Sequence, residues 1–259
     1  MGKTANSDGT VGKALEVLDA VAAFSRPVRF SELLESSPYP KATLYRFLQT
    51  LTSQKMLNFD PRHGSYSLGM RLVSLAHAAW KQSSLAPIAK PYTEALVARV
   101  GETVHLAQFE NGQVIFVDKL QKNDFFETLA QPGKVAPAYC TGVGKAMLAF
   151  MPPRSLQLAL QQQAYYQYTP HTHSSVSSLE ADLDEVRRQG VAYDREEHQL
   201  GIISIAVPIL SAEGRVLGAL SVATSTTRHG LDDLNAYRRD LIDAADNIAG
   251  EAASWQFPA

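Results

Sequence analysis

Residues 41–51 read KATLYRFLQTL, and the spacing of their apolar side chains decides how the first third of the chain is read. Leu44, Phe47, Leu48 and Leu51 recur at the interval of a helix that buries one stripe. The opposite face then presents Ala42, Tyr45, Arg46 and Gln49, a set of one cation and two hydrogen-bonding side chains beside a small methyl group. Lys41 falls at the helix start, where free N–H groups and the positive end of the helix dipole favour an anion. Such a face suits a helix laid in a DNA major groove. An ordinary amphipathic helix with a few exposed polar groups would show the same pattern, so the flanking segments have to arbitrate.

Upstream, 11–24 (VGKALEVLDAVAAF) is a second amphipathic helix and 30–36 (FSELLES) a short third one, separated from the first stretch by the turn Ser37-Pro38-Tyr39-Pro40. Three helices, the last two joined by a tight turn, describe a helix-turn-helix unit. Downstream, 56–68 (MLNFDPRHGSYSL) carries strand-like ends around Asp60-Pro61-Arg62-His63-Gly64, a hairpin with a basic tip. A hairpin directly after a recognition helix is a wing, which sets Arg62 against the backbone. The expected DNA contacts are Lys41, Ala42, Thr43, Tyr45, Arg46, Gln49 and Arg62.

The run PKATLYRFLQTL followed by GSYSLGMRL resembles the winged-helix segment of IclR-type bacterial transcriptional regulators, whose usual pattern is PKSTVYRLLxTL and then YxLGxRL. Ala42 stands where that pattern has Ser.

The 259 residues, 45% hydrophobic and 19% charged, suffice for one large or two modest domains. No run of eighteen apolar residues exists, so no membrane span is expected. The opening MGKTANSDGT lacks the apolar core of a secretory signal and reads as a short tail. One cysteine, Cys140, excludes a disulfide framework and a multi-cysteine zinc site, and a cytoplasmic location is expected. Net charge is −2, but Lys and Arg exceed Asp and Glu by four over residues 1–82 and fall short by six over 83–259. A small basic excess in one segment favours a dimer reading two half-sites over a monomer.

Residues 69–82 (GMRLVSLAHAAWKQ) read as a linker helix striped by Leu72, Leu75, Ala76 and Ala79, broken at Ser83-Ser84-Leu85-Ala86-Pro87. The domains are therefore set at 1–68 (winged helix-turn-helix), 69–84 (linker helix) and 85–259 (effector-binding and oligomerisation). The last opens with a helix over 88–100 capped by Gly101, then strands 103–109 and 113–120 joined across Asn111-Gly112. A strand is expected over 125–130, closed by Pro132-Gly133. Helices follow at 142–150, 153–163 and 176–189, strands at 202–210 and 215–223, and a last helix over 231–253. Hairpins followed by helices indicate an α+β fold with a largely antiparallel sheet.

Catalytic motifs fail on inspection. Gly142-Val143-Gly144-Lys145 resembles the end of a phosphate loop, yet Tyr139 and Ala146 stand where that loop needs glycine and Ser or Thr, and Met147 spoils a dinucleotide fingerprint. His171 and His173 read as an exposed loop pair that would hold a metal only with further ligands. No nucleophile elbow is present. No catalytic residue, metal or cofactor is expected. The helix start at 141–146 offers amides to a carboxylate or is simply a packed glycine-rich turn, and Asp194-Arg195-Glu196-Glu197-His198 is either part of a site or a solvated loop.

YCTGVGKAMLAF and YDREEHQLGIISIAVPILSAEGRVLGALSV resemble the IclR segments HAxGxGKAxLA and DxEExxxGxxCxAxPIxDxxGxxxxALSV, so the resemblance spans nearly the whole chain. It implies a winged-helix domain joined to a GAF-like effector domain, assembled as homodimers or tetramers, with repression the commoner mode. By motif position the implied effector residues are Phe125 and Thr128 on a strand, Gly142 and Val143 at the helix start, Asp194, and Ser204, with Tyr139 beside them. Ser204 replaces the usual Cys and Tyr139 the usual His. A small organic acid with an apolar or aromatic body fits that set. A constitutive DNA binder whose second domain serves only assembly, and an enzyme built on the 194–198 cluster and Ser204, are the rival readings.

Overall fold

The computed structural model describes residues 9–123 and 126–253. Two compact units divide between Gln82 and Ser83.

In the first unit, helix α1 (Gly9–Ala22) precedes a two-residue strand β1 (Val28–Arg29), helix α2 (Phe30–Ser36), helix α3 (Lys41–Ser53), the hairpin β2 (Leu57–Asp60) and β3 (Ser65–Leu68), and helix α4 (Met70–Ser83). The stripe Leu44, Phe47, Leu48 and Leu51 is buried, as its spacing requires. It packs with Val17, Leu18 and Val21 of α1, Leu33 of α2, and Val28, Leu57 and Tyr66 of the strands. The wing is a three-stranded antiparallel sheet in the order β1-β3-β2. Val28 opposite Tyr66 ties the start of α2 to the wing.

The second unit begins with α5 (Ala86–Val100) and the hairpin β4 (Thr103–Glu110) and β5 (Gln113–Leu120). Then come β6 (Val135–Pro137), α6 (Gly142–Ala149), α7 (Pro153–Gln162), α8 (Val176–Gln189), β7 (Ala192–Arg195), β8 (Ile202–Leu210) and β9 (Val216–Ser225). A 3₁₀ turn (Asp232–Tyr237) leads into α9 (Arg238–Ala252). Among the described residues one antiparallel sheet runs β6-β5-β4-β9-β8-β7. Asn111 and Gly112 both take positive φ, as a two-residue hairpin turn demands, and Gly101 ends α5 in the left-handed conformation.

Side chains alternate along each strand, and both sets are buried: Ser204 and Ala206 on one side of β8, Ile203, Ile205 and Val207 on the other. Helix α6 covers the first side and α5 with α9 the second, which is why β8 reads as an almost continuous apolar run.

Several expectations need correcting. Phe125 lies outside the described residues, and 126–130 is not a strand. The Pro132-Gly133 turn shifts sheet pairing onward: Phe116 exchanges backbone hydrogen bonds with Gly133 and Lys134, and β6 adds at the edge beyond them. The stretch expected as one helix over 231–253 is a 3₁₀ turn followed by α9. Strands β1 and β7 were not anticipated.

Candidate DNA-binding face and effector pocket

Helix α3 begins after Pro40, whose carbonyl accepts the Thr43 and Leu44 amides and whose ring leaves no capping side chain. The first-turn N–H groups at Lys41 and Ala42 have no acceptor among the described residues, so this end is open to an anion. Lys41, Ala42, Tyr45, Arg46 and Gln49 are exposed and Thr43 is half-buried. Tyr45 rests edge-on against Phe30, ring centroids 6.1 Å apart. In the wing, Asp60 accepts the Arg62 amide at 2.8 Å and the His63 ring at 2.5 Å. That holds the turn and leaves the Arg62 side chain exposed.

In the second unit the strand register sets residues side by side. Asp194 on β7 pairs with Ser204 on β8, which pairs with Ala223 on β9. One row along, Ala206 faces Ser221, and Ser221 faces His105 on β4. Small side chains in both rows leave a gap beneath α6, a cavity of about 40 Å³. Thr128, Gly142, Val143, Asp194 and Ser204 all line it. Tyr139 does not: it is buried elsewhere, its hydroxyl donating to the Tyr166 carbonyl at 2.6 Å.

His105, Phe116, Gln199 and Ser221 also line the cavity and were missed, and His198, from the 194–198 cluster, joins them there. His105 is buried, and desolvation, with Lys119 adding to it, pushes its pKa down to about 3, so the ring is neutral. Thr128 Oγ1 donates to the Ala130 carbonyl at 3.3 Å and lies 3.1 Å from His105 Nε2. The Nε2–H tautomer is then the donor to Thr128, and Nδ1, 3.4 Å from Ser221 Oγ, is an acceptor. Asp194 accepts the Glu197 amide at 2.8 Å, yet burial and the Glu197 charge raise its pKa to about 7.

At the helix start, Thr141 Oγ1 accepts the Gly144 amide at 3.3 Å, while the Gly142 and Val143 amides have no acceptor among the described residues. The glycines are needed for packing: a Cβ on Gly142 would lie 2.7 Å from Ser204 Oγ, and one on Gly144 2.3 Å from the Ala138 carbonyl oxygen.

The 194–198 segment is not a solvated loop. Lys145, fully buried on α6, places Nζ 2.5 Å from Glu197 Oε1 and 2.6 Å from Asp182 Oδ2 on α8. Burial raises the Asp182 pKa, but His173, Lys145 and Arg195 outweigh it and hold the carboxyl well below its ordinary range. Nor are the two loop histidines alike. His171 is exposed, whereas His173 is turned in against Asp182 and Glu197.

A winged helix followed by an α+β unit with a pocket lined by both polar and apolar side chains is the build of a one-chain transcriptional regulator. Two descriptions match: "IclR helix-turn-helix domain" over residues 10–61 and "Bacterial transcriptional regulator IclR C-terminal" over residues 77–250. The chain belongs to the IclR family of bacterial transcriptional regulators, and it is not an enzyme. It is 29% identical to the HTH-type transcriptional regulator XynR of Escherichia coli K12, covering 91% of this chain and 93% of XynR. To the DNA-binding transcriptional repressor YiaJ of the same organism it is 30% identical, over 83% of this chain and 78% of YiaJ. Among solved structures, an IclR homologue of Microbacterium hydrocarbonoxydans complexed with 4-hydroxybenzoate shares the fold at a TM-score of 0.81 and 23% identity, covering 95% of this chain and all of that one (100%).

Proposed function

We propose that the chain is a ligand-responsive repressor that binds an operator through α3 and the wing and releases it when a small organic acid enters the pocket beneath α6. The observation that carries the reading is the convergence, in one cavity, of two unpaired helix-start amides with the hydroxyls of Ser204, Ser221 and Thr128 and a neutral imidazole. No Lys or Arg lines the cavity. A carboxylate would therefore be held by amide and hydroxyl donors at the positive end of α6. Phe116, Leu129, Val143 and Ile202 supply the apolar wall for an aromatic or aliphatic body. The homologue bound to 4-hydroxybenzoate shares this fold, and YiaJ is named a repressor, which agrees with both halves of the reading.

The cavity is too small to admit such an acid unchanged, since pockets that hold drug-sized ligands run to about 300–1,000 Å³. Binding must open it. The yielding wall is the segment 126–130, held to the 198–202 loop by the Leu129 amide donating to Gln199 Oε1 at 3.1 Å. The ligand then acts by favouring the open arrangement, and only by its differential affinity for it.

Lys41, Thr43 and Arg62 contact phosphates, and Ala42, Tyr45, Arg46 and Gln49 meet base edges. The protein works as a homodimer or tetramer: Met70 and Val73 on one side of α4 and Leu75 on the other are 73%, 59% and 49% exposed, apolar surface that a second copy can cover.

The test is titration of the protein onto DNA flanking its own gene, against random competitor and at several salt concentrations, followed by a screen of organic acids for release. Competitor-resistant binding that falls steeply with salt and is reversed by an acid is expected. Ser204→Ala should weaken the acid's effect and leave DNA affinity unchanged; an unaltered response refutes the pocket assignment, and operator binding indifferent to every acid makes the chain a constitutive binder.

A further inference from the structure

The geometry points to a divalent-metal site, of the zinc type, formed by His173 Nε2, a carboxylate oxygen of Asp182 and Glu197 Oε2. One ligand atom from each of the three residues lies within 4.8 Å of the others. His173 Nε2 is 3.4 Å from Asp182 Oδ2 and 3.7 Å from Glu197 Oε2. A tetrahedral ion with bonds of about 2.0–2.2 Å holds its ligands about 3.3–3.6 Å apart, so the two separations are close to what such an ion needs without being hydrogen bonds themselves.

A second observation points the same way. Glu197 Oε2 and His173 Nε2 are buried and have no hydrogen-bond partner, and the Glu197 side chain is only 3% exposed. A buried carboxylate oxygen left unpaired is costly, and two such atoms facing each other mark a place where something polar belongs. The other oxygen of Glu197 is taken by Lys145, so Oε2 is the one free to ligate.

The three ligands are preset by contacts that do not involve an ion. Thr172 Oγ1 donates to the Glu197 carbonyl at 2.6 Å and Thr169 Oγ1 to the Glu196 carbonyl at 2.7 Å, pinning the loop that carries His173 to the loop that carries Glu197. Lys145 bridges Glu197 to Asp182 on α8. Side-chain exposures of 17% at His173 and 14% at Asp182 leave an entry path from solvent.

Lys145 and Arg195 face the same carboxylates and oppose a further positive charge. The site is therefore weaker than a structural zinc centre that a fold depends on. One imidazole with two carboxylates suits zinc, manganese or ferrous iron, and zinc is the probe of choice because imidazole favours it.

The experiment is a calorimetric titration of zinc into the chelator-stripped full-length protein, with cobalt absorption as a report on coordination, in wild type, His173→Ala and His171→Ala. Wild type should bind one equivalent in the micromolar range and show the intense visible bands of low-coordinate cobalt. His173→Ala should weaken zinc by about 100-fold or more, given that losing even an outer partner of a ligand costs about 10- to 100-fold. His171→Ala, altered on the same loop but exposed, should bind as wild type. Thermal unfolding without metal checks that His173→Ala is folded. Zinc binding undiminished in folded His173→Ala, or no saturable binding in wild type at millimolar zinc, overturns the site.

Discussion

Replacing Lys145 by methionine tests whether the charged cluster under α6 is a structural element of the second unit. The ammonium is fully buried, with Glu197 Oε1 at 2.5 Å and Asp182 Oδ2 at 2.6 Å, and the two acids are 3% and 14% exposed. Methionine keeps most of the volume and removes the charge. Removing one partner of a buried ion pair costs about 3–5 kcal/mol, because the remaining charge is left uncompensated. Arg195 stays 3.3 Å from Asp182 and 3.9 Å from Glu197, half-exposed, and recovers part of this, so the low end of that range applies, about 3 kcal/mol. For a unit of this size, about 2–4 °C of midpoint per kcal/mol gives a fall of about 6–12 °C. Calorimetry can resolve the second unit's transition, and equilibrium urea unfolding gives the free energy. Adding Glu197→Gln to Lys145→Met should recover part of the loss, since the stranded charge goes with the ammonium. A loss below about 1 kcal/mol in the single variant, or a double variant that loses the full sum of two singles, refutes the argument.

Three further expectations follow from the same geometry. Arg46→Ala should cost about 1–3 kcal/mol of operator affinity and relax preference at one base position, while Arg62→Ala should weaken all sequences alike and lower the slope of log affinity on log salt by about one, both read by fluorescence anisotropy. Gly144→Ala, whose Cβ would meet Ala138 backbone at 2.3 Å, should destabilise the second unit by about 1–3 kcal/mol or more in urea unfolding, with DNA affinity retained if that unit still folds. His105 has a folded pKa of about 3, below its unfolded value of about 6.5, so the unfolded chain takes the proton first and stability falls as pH drops between those values. His105→Gln should remove that component, making the loss between pH 7 and pH 5 smaller than in wild type by up to about 2 kcal/mol.

What was legible in the sequence was local. The buried stripe of α3, the Asn111-Gly112 turn and the boundaries of α8 depend on residues within a few positions of one another, and periodicity reports them directly. Misreadings came where distant parts of the chain decide. β1 is two residues that become a strand only by pairing with β3. The 126–130 segment has a strand's composition, but the adjacent edge of β5 is taken by Gly133 to Pro137. The 194–198 run looks like a solvated loop because nothing nearby shows that Lys145 will neutralise it from α6. Of the pocket, motif resemblance pointed to Thr128, Gly142, Val143, Asp194 and Ser204, but His105 and Ser221 enter through antiparallel register, which one strand's sequence does not display.

All eight residues of α6 are buried, and that governs how the pocket can be altered. The helix is at once a wall of the cavity, the carrier of Lys145 and the centre of a hydrophobic cluster, so almost any change along it alters folding together with recognition. The opposite wall, where Leu129 is half-exposed and the Gln199 side chain accepts the Leu129 amide, carries no such double duty. Under the proposed function, retuning the pocket for a new acid is therefore a matter of redesigning the 126–130 segment and the sheet positions Ser204, Ser221 and Ala223 against a fixed helix. A library confined to those positions should retain far more folded members than one of equal size spread over α6.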